Sequence, residues 1–139
     1  MDVTLETPEM TTVSELREMA TESRPDMESY MNCNPINVYI KDYLLTQNIE
    51  CELINGSVST RRSHIGGEGH MYVRVPSEYV SDVNSSKPVI VDGALDQFNI
   101  SNMDDGKMFV SLGPKEDIPC PAIITPDDDL YDVFYVERW

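Results

Sequence analysis

The sequence has few basic residues and no long apolar run, and each scarcity argues against a class of partner. Ten lysines and arginines stand against 25 aspartates and glutamates, which gives a formal net charge of −15. Such a chain repels phosphates, so neither nucleic acid nor an anionic membrane surface is expected as a partner. The sequence contains no apolar stretch of about 18 residues, the length that a membrane-spanning helix needs. We therefore expect no membrane insertion.

Cysteine is also scarce, and its spacing excludes several uses. Cys33, Cys51 and Cys120 cannot all pair, and they form no Cys-x-x-Cys motif of a zinc or redox site. They are typical of thiols in a reducing compartment. The first residues show neither the basic region nor the apolar core of a secretory signal. These features predict a cytoplasmic or virion-associated protein.

The acidic residues are spread along the whole chain and are densest at residues 127–129. One interpretation is a solvated acidic surface that keeps the protein soluble. Another is a halophilic protein, because high salt screens the repulsion between like charges. The low lysine content fits the second interpretation without requiring it.

Two helices are predicted in the first third of the chain. Residues 12–15 read Thr-x-x-Glu, the form of a capping box, and an apolar spacing of three to four residues predicts a helix over 13–22. Asn34 can cap a second helix, with Pro35 at its first position and an apolar stripe to about residue 47. Cys33 then lies at or just before a helix N-terminus.

After the second helix the apolar period changes to two, which indicates strands. Strands are predicted over residues 49–53, 70–75, 88–92, 108–112, 122–125 and 131–137. Asn55-Gly56 fits either a tight turn or a strand that continues through a bulge. Helices followed by strands predict an α+β fold with an antiparallel sheet. We expect one domain over 1–139, with an N-terminal extension over 1–31 and the core over 32–139.

Three residues at the ends of predicted elements carry chemistry. Cys33 precedes a helix, His70 begins a strand, and Asp92 ends the next strand. A thiol, an imidazole and a carboxylate can form a nucleophile, its base and the group that orients the base. The helix N-terminus would also stabilise a thiolate. No spacing indicates a metal or cofactor site, and a zinc site built from these three side chains ranks below the triad.

Other residues compete for these roles. Asp92 could instead cap the turn at Gly93, and Asp96 is a second carboxylate in the same loop. His64 competes with His70, but the residues after it do not form the same strand pattern. Cys51 alternates with apolar residues and is expected in the core.

The segments that hold the three residues resemble the core of transglutaminase-like and papain-like cysteine hydrolases. These are Asn32-Cys33 with its helix, Ile49 to Gly56, Gly69-His70-Met71-Tyr72-Val73-Arg74-Val75, Val89-Ile90-Val91-Asp92 and Leu95 to Phe98, about residues 32–99 in all. The resemblance implies N-terminal helices that pack on an antiparallel sheet. It also implies that Cys33 is the nucleophile, His70 the base and Asp92 the orienting acid.

One feature of the family pattern is different here. Papain-type enzymes place a glutamine before the cysteine, where it helps to bind the oxyanion. The glutamines of this chain, Gln47 and Gln97, both follow Cys33. The Cys33 backbone N–H is a natural donor, while Pro35 removes one amide nearby. The sequence therefore leaves the oxyanion site unassigned.

Three functions fit these observations. The first is a cysteine hydrolase or acyltransferase that attacks an amide bond of a peptide or protein substrate through a thioester, without a cofactor. The second is a catalytically inactive papain-like subunit of a larger assembly such as a virus particle, whose partners are other protein subunits. A module that only binds peptides is a third possibility. The reactivity of Cys33 distinguishes the first from the others.

Overall fold

The computed structural model describes residues 8–27, 32–58, 68–95, 121–128, 131 and 135–136. These residues form an α+β fold, as the sequence predicts. The elements are α1 Val13–Ser23, α2 Cys33–Thr46, β1 Glu52–Val58, β2 Glu68–Val75, a 3₁₀ turn Ser77–Tyr79, β3 Val89–Asp92, β4 Ala122–Ile124 and β5 Tyr135–Val136. All neighbouring strands of the sheet are antiparallel, in the order β4-β3-β2-β1-β5.

Helix α1 begins where the capping signal places it. The Thr12 side chain accepts a hydrogen bond of 3.1 Å from the Glu15 backbone N–H, which satisfies one of the unpaired donors of the first turn. Leu16 and Ala20 are buried, so one face of the helix packs into the core. The prediction over 13–22 is confirmed, with one further residue at the C-terminus.

Helix α2 begins earlier than predicted. Its N-cap is Asn32, not Asn34, and Pro35 is the third helical residue, not the first. Proline is tolerated there because the amides of the first turn have no partner within the helix. The first helical bond runs from Ile36 N–H to Asn32 C=O at 3.0 Å. Cys33 is therefore the first residue of the helix itself.

Strands β1 and β2 form a long antiparallel pair. Strand β1 begins at Glu52, later than predicted, and continues through Asn55-Gly56 to Val58 without a turn. It pairs along its length with β2, from Glu52 opposite Arg74 to Val58 opposite Glu68. His70 is thus the third residue of β2, where the sequence pattern predicts the first. The extra pairing fixes the His70 backbone inside the sheet.

The helices pack on one face of the sheet, as predicted. The core on this side contains Leu16, Ala20, Ile36, Ile40, Leu44, Ile49, Val73, Val75, Val80, Val89, Val91, Ala94 and Ile123. Burial of this apolar surface is the main stabilising contribution, on the order of 25 cal/mol per Å² removed from water. It fixes the N-terminus of α2 against β2 and β3.

Strand β4 is one residue shorter than the predicted segment 122–125, and β5 lies within the predicted segment 131–137, of which the structure describes residues 131, 135 and 136. The predicted strand 108–112 lies outside the described residues, as do His64, Asp96, Gln97 and Cys120. Among the helices that the structure describes, none combines the length and apolar character needed to cross a bilayer.

Candidate active site

The predicted triad residues meet where β2 and β3 part. The two strands pair from Val75–Val89 to Val73–Val91, and β3 ends at Asp92. In a continued register, Tyr72 would face Asp92, and Met71 would then face Gly93. The first turn of α2 lies over this opening instead. It brings Cys33 to the edge of β2, beside His70.

His70 and Asp92 form a buried ion pair. The distance from His70 Nε2 to Asp92 Oδ2 is 2.6 Å, and neither side chain is exposed. An ionised carboxylate only accepts, so Nε2 carries the proton and donates it. Nδ1 is therefore the ring nitrogen left for Cys33. Asp92 Oδ1 accepts from the Ala94 N–H at 2.9 Å. Asp92 thus both orients the histidine and caps the turn after β3.

The environment of His70 favours its charged form. Burial lowers the pKa of the imidazole, but the Asp92 charge and hydrogen bond, with a smaller contribution from Cys33, outweigh it and raise the pKa to about 9. The ring also stacks at 6.2 Å, between centroids, on the buried ring of Tyr72. His70 is thus held as an imidazolium at neutral pH.

Cys33 is half-buried and faces two donors. Burial raises the pKa of its thiol, but the hydrogen bonds from His70 and from the Met71 backbone N–H, with the His70 charge, lower it below the ordinary 9.0. The helix N-terminus acts in the same direction. A thiolate at Cys33 and an imidazolium at His70 therefore stabilise each other, and Cys33 is the one of the three predicted residues that is partly exposed.

Cys51 provides a contrast within the same chain. It is also half-buried and packs against the core, with its sulfur 3.7 Å from the Lys41 carbonyl oxygen. Burial raises the pKa of this thiol to about 12, although the charge of Lys41 opposes the shift. At a similar degree of burial, the pKa of one thiol is thus lowered and that of the other is raised, because, of the two described cysteines, it is Cys33 that lies beside His70.

Asn37 is a residue of the site that the sequence analysis missed. It lies one helical turn after Cys33 and is fully buried. Its Nδ2 donates to the Met71 carbonyl at 2.8 Å and lies 3.4 Å from Asp92 Oδ1. Its Oδ1 accepts from the Gly93 N–H at 2.8 Å. A signal was present: Asn37 is a polar residue beside the apolar stripe, four residues after the cysteine.

The peptide groups of Gly93 are held from two sides. The N–H donates to Asn37, and the carbonyl accepts from Arg24 Nε at 2.7 Å. A Cβ at Gly93 would lie 2.6 Å from Ile36 Cγ2 and closer still to the side chain of Ile40. Only glycine therefore allows α2 to approach the end of β3 this closely.

We expect Gly93→Ala to destabilise the protein by about 1–3 kcal/mol, the usual cost of overpacking a tight core. Urea unfolding followed by circular dichroism measures this. Glu18→Ala, an exposed change on α1, is the control and should stay within about 0.5 kcal/mol of the parent. Equal stability of Gly93→Ala and the parent would show that the approach of α2 to β3 is looser than described.

The start of α2 also supplies candidate oxyanion donors. The Cys33 and Asn34 N–H groups belong to the first turn, where helix geometry gives them no partner within the helix. Pro35 supplies no N–H. Gln47 is the C-cap at the other end of the helix and plays no part here. The Cys33 N–H therefore stays the natural donor to the oxygen of a carbonyl group that the Cys33 sulfur would attack.

Other features of the described residues do not compete with this site. No group of three or more His, Cys, Asp or Glu side chains among them is arranged to hold a metal ion. A cavity of about 540 Å³ lies at the opposite end of β2, lined by residues that include Glu52, Arg74 and Ser77. Arg74 is ion-paired with Glu52 at 2.6 Å, so its charge is already compensated.

Comparison of the chain with models of protein families, with curated proteins and with solved structures finds no match. The site must therefore be interpreted from its own geometry and chemistry.

Proposed function

We propose that this chain is a cysteine hydrolase or acyltransferase with a papain/transglutaminase-like core. Cys33 is the nucleophile, His70 the base and acid, and Asp92 the group that orients His70. The target is an amide bond of a peptide or protein substrate. The observation that carries the proposal is the buried 2.6 Å His70–Asp92 pair beside a thiol with a lowered pKa.

The arrangement of the elements supports the same proposal. The cysteine begins a helix that packs on the sheet, the histidine lies on the adjacent strand β2, and the aspartate ends β3. Nε2 of His70 binds the carboxylate, which leaves Nδ1 toward the sulfur. A nucleophile, a base and an orienting acid linked in this sequence are the recurring arrangement of nucleophilic catalysis by triads.

In the first half of the reaction, the Cys33 thiolate attacks the carbonyl carbon of the substrate and forms a C–S bond. The negative charge moves to the carbonyl oxygen, toward the N–H groups at the start of α2. When the C–N bond breaks, the His70 imidazolium gives its Nδ1 proton to the departing amine. The products of this step are a free amine and a thioester on Cys33.

In the second half, neutral His70 takes a proton from a water molecule or an amine that attacks the thioester. The C–S bond breaks, and the thiolate and imidazolium form again. Water yields a carboxylic acid, and an amine yields a new amide. Asp92 keeps Nε2 protonated throughout, so that Nδ1 remains the nitrogen that exchanges protons.

Formation of the thioester on Cys33 is the step that tests the proposal. We would incubate the protein with peptide thioesters and p-nitrophenyl esters of varied acyl groups and locate acyl adducts by mass spectrometry. We expect an adduct on Cys33 that hydroxylamine removes, in the parent and equally in Cys51→Ala, the matched control. Release with water alone or only with an added amine distinguishes hydrolysis from transfer.

An acyl pattern that is unchanged in Cys33→Ala would refute the proposed nucleophile. The inactive-subunit hypothesis predicts that no donor in the series labels Cys33 faster than Cys51. The lowered pKa of Cys33 against the raised pKa of Cys51 favours the enzyme.

A further inference from the structure

The carboxamide of Asn37 takes the place of a missing backbone hydrogen bond between β2 and the residue after β3. After the Val73–Val91 pair, a continued register would place Tyr72 opposite Asp92 and then Met71 opposite Gly93, but β3 ends at Asp92. The Asn37 amide fills the space: it donates to the Met71 carbonyl and accepts from the Gly93 N–H, both at 2.8 Å. Acting like an inserted peptide group, it gives a hydrogen-bond partner to the Met71 carbonyl and to the Gly93 N–H and keeps the two chain segments apart.

The separation between β2 and the end of β3 leaves the space into which the Cys33 side chain reaches. Two polar groups of one residue, Met71, are taken by the same face of α2, since its carbonyl binds Asn37 and its N–H faces the Cys33 sulfur. A direct bond between the Gly93 N–H and the Met71 carbonyl would close the opening into which Cys33 reaches.

The same amide also acts on the acid of the triad. Asn37 Nδ2 lies 3.4 Å from Asp92 Oδ1, the oxygen that also accepts from the Ala94 N–H. With Oδ1 held by these two donors, Oδ2 points at His70 Nε2. Asn37 thus contacts the strand that carries the base, the turn after β3 and the carboxylate.

We propose that Asn37 is a positioning residue of the active site, whose inserted carboxamide sets the distance between β2 and the end of β3 and thereby holds Cys33, His70 and Asp92 in register. The inference rests on the proposed function, because it concerns the reactivity of the same thiol. Asn37 itself touches no reacting atom.

The test is the rate of Cys33 alkylation by iodoacetamide against pH, determined by mass spectrometry, in the parent, Asn37→Leu and Asn37→Ala. Without the carboxamide, the Met71 N–H and His70 are no longer fixed at the sulfur. We therefore expect the midpoint of the curve of Cys33 alkylation rate against pH to move up by about one pH unit. The thiolate fraction then falls about tenfold at lower pH, and the greater nucleophilicity of a more basic thiolate reduces the net slowing to about threefold. Asn37→Ala keeps the test valid if the bulkier leucine prevents folding, since water can enter the space and bind the freed groups.

Leu44→Ala is the matched control. Leu44 is a fully buried core residue of the same helix, and its truncation loosens the packing without touching the site. The inference is supported if the midpoint rises in each Asn37 variant that folds and stays in place in Leu44→Ala. It is overturned if all variants shift equally, or if the Asn37 variants keep the parent midpoint. A parent Cys33 that reacts no faster than Cys51 would instead contradict the proposed function, which separates the two failures.

Discussion

In a His70→Gln variant we expect formation of the Cys33 thioester to slow by about 10²–10⁴-fold at neutral pH, the usual contribution of a general acid–base group. Two losses combine. The leaving amine no longer receives a proton, and the pKa of Cys33 rises, because the hydrogen bond and the charge of His70 no longer oppose the effect of burial. Glutamine is chosen because its amide N–H can still donate to Asp92, so the buried carboxylate keeps a partner.

The measurement is the rate of acyl-adduct formation with the best donor, together with the pH dependence of iodoacetamide alkylation. His64→Gln is the matched control, since His64 is the other histidine of the chain. Cys51 is the internal reference, and its alkylation should not respond to either change. If His70→Gln acylated at the parent rate, or if His64→Gln caused the loss, His70 would not be the base.

We expect the stability of the protein to fall as the pH rises from about 6.5 to about 9, because of the His70–Asp92 pair. The pKa of His70 is raised from 6.5 to about 9 by the fold, so the folded state binds a proton that the unfolded state releases in this window. The resulting stabilisation is complete below pH 6.5 and is lost as the pH rises through the pKa of His70 in the folded state. The shift corresponds to up to roughly 3 kcal/mol by linkage.

The comparison is between Asp92→Asn and its parent, by urea unfolding at several pH values from 6 to 10. Both proteins carry Cys33→Ala, because the lowered pKa of Cys33 has the opposite sign: its contribution is present above pH 9.0 and is lost as the pH falls. Asp92→Asn removes the charge that keeps His70 protonated. The free energy of unfolding of the variant should therefore lie furthest below that of its parent at pH 6, and this deficit should narrow by up to roughly 3 kcal/mol by pH 10. A deficit that is constant with pH would show that the pair does not raise the pKa of His70.

The sequence carried enough local information for the fold class and for most elements. The Thr12–Glu15 capping signal predicts α1 almost to the residue, and the run Val89–Asp92 predicts β3. The starts of α2 and β2 were predicted less well. Proline is acceptable throughout a first helical turn, so Pro35 does not distinguish a start at Cys33 from one two residues later. The start of β2 depends on its pairing with β1, which no apolar pattern within β2 specifies.

In the candidate site too, some residues could be predicted from the sequence and others could not. Residue types and their order along the chain pointed to Cys33, His70 and Asp92, and the structure brings these three side chains together. The Met71 N–H could not be predicted, because every residue except proline has such a group and only the strand register selects this one. The Arg24 contact with Gly93 likewise depends on how the end of α1 packs.

The uneven burial of the triad sets the order of events in the proposed reaction. His70 is 2% exposed and Asp92 is 0% exposed, while Cys33 is half-buried. In the part of the chain that the structure describes, a molecule can therefore exchange a proton with His70 only from the side on which the sulfur is accessible. The leaving amine and the attacking water or amine must occupy this one space in turn. The chain would work as a substituted enzyme, which releases its first product before the acceptor enters, with ping-pong kinetics.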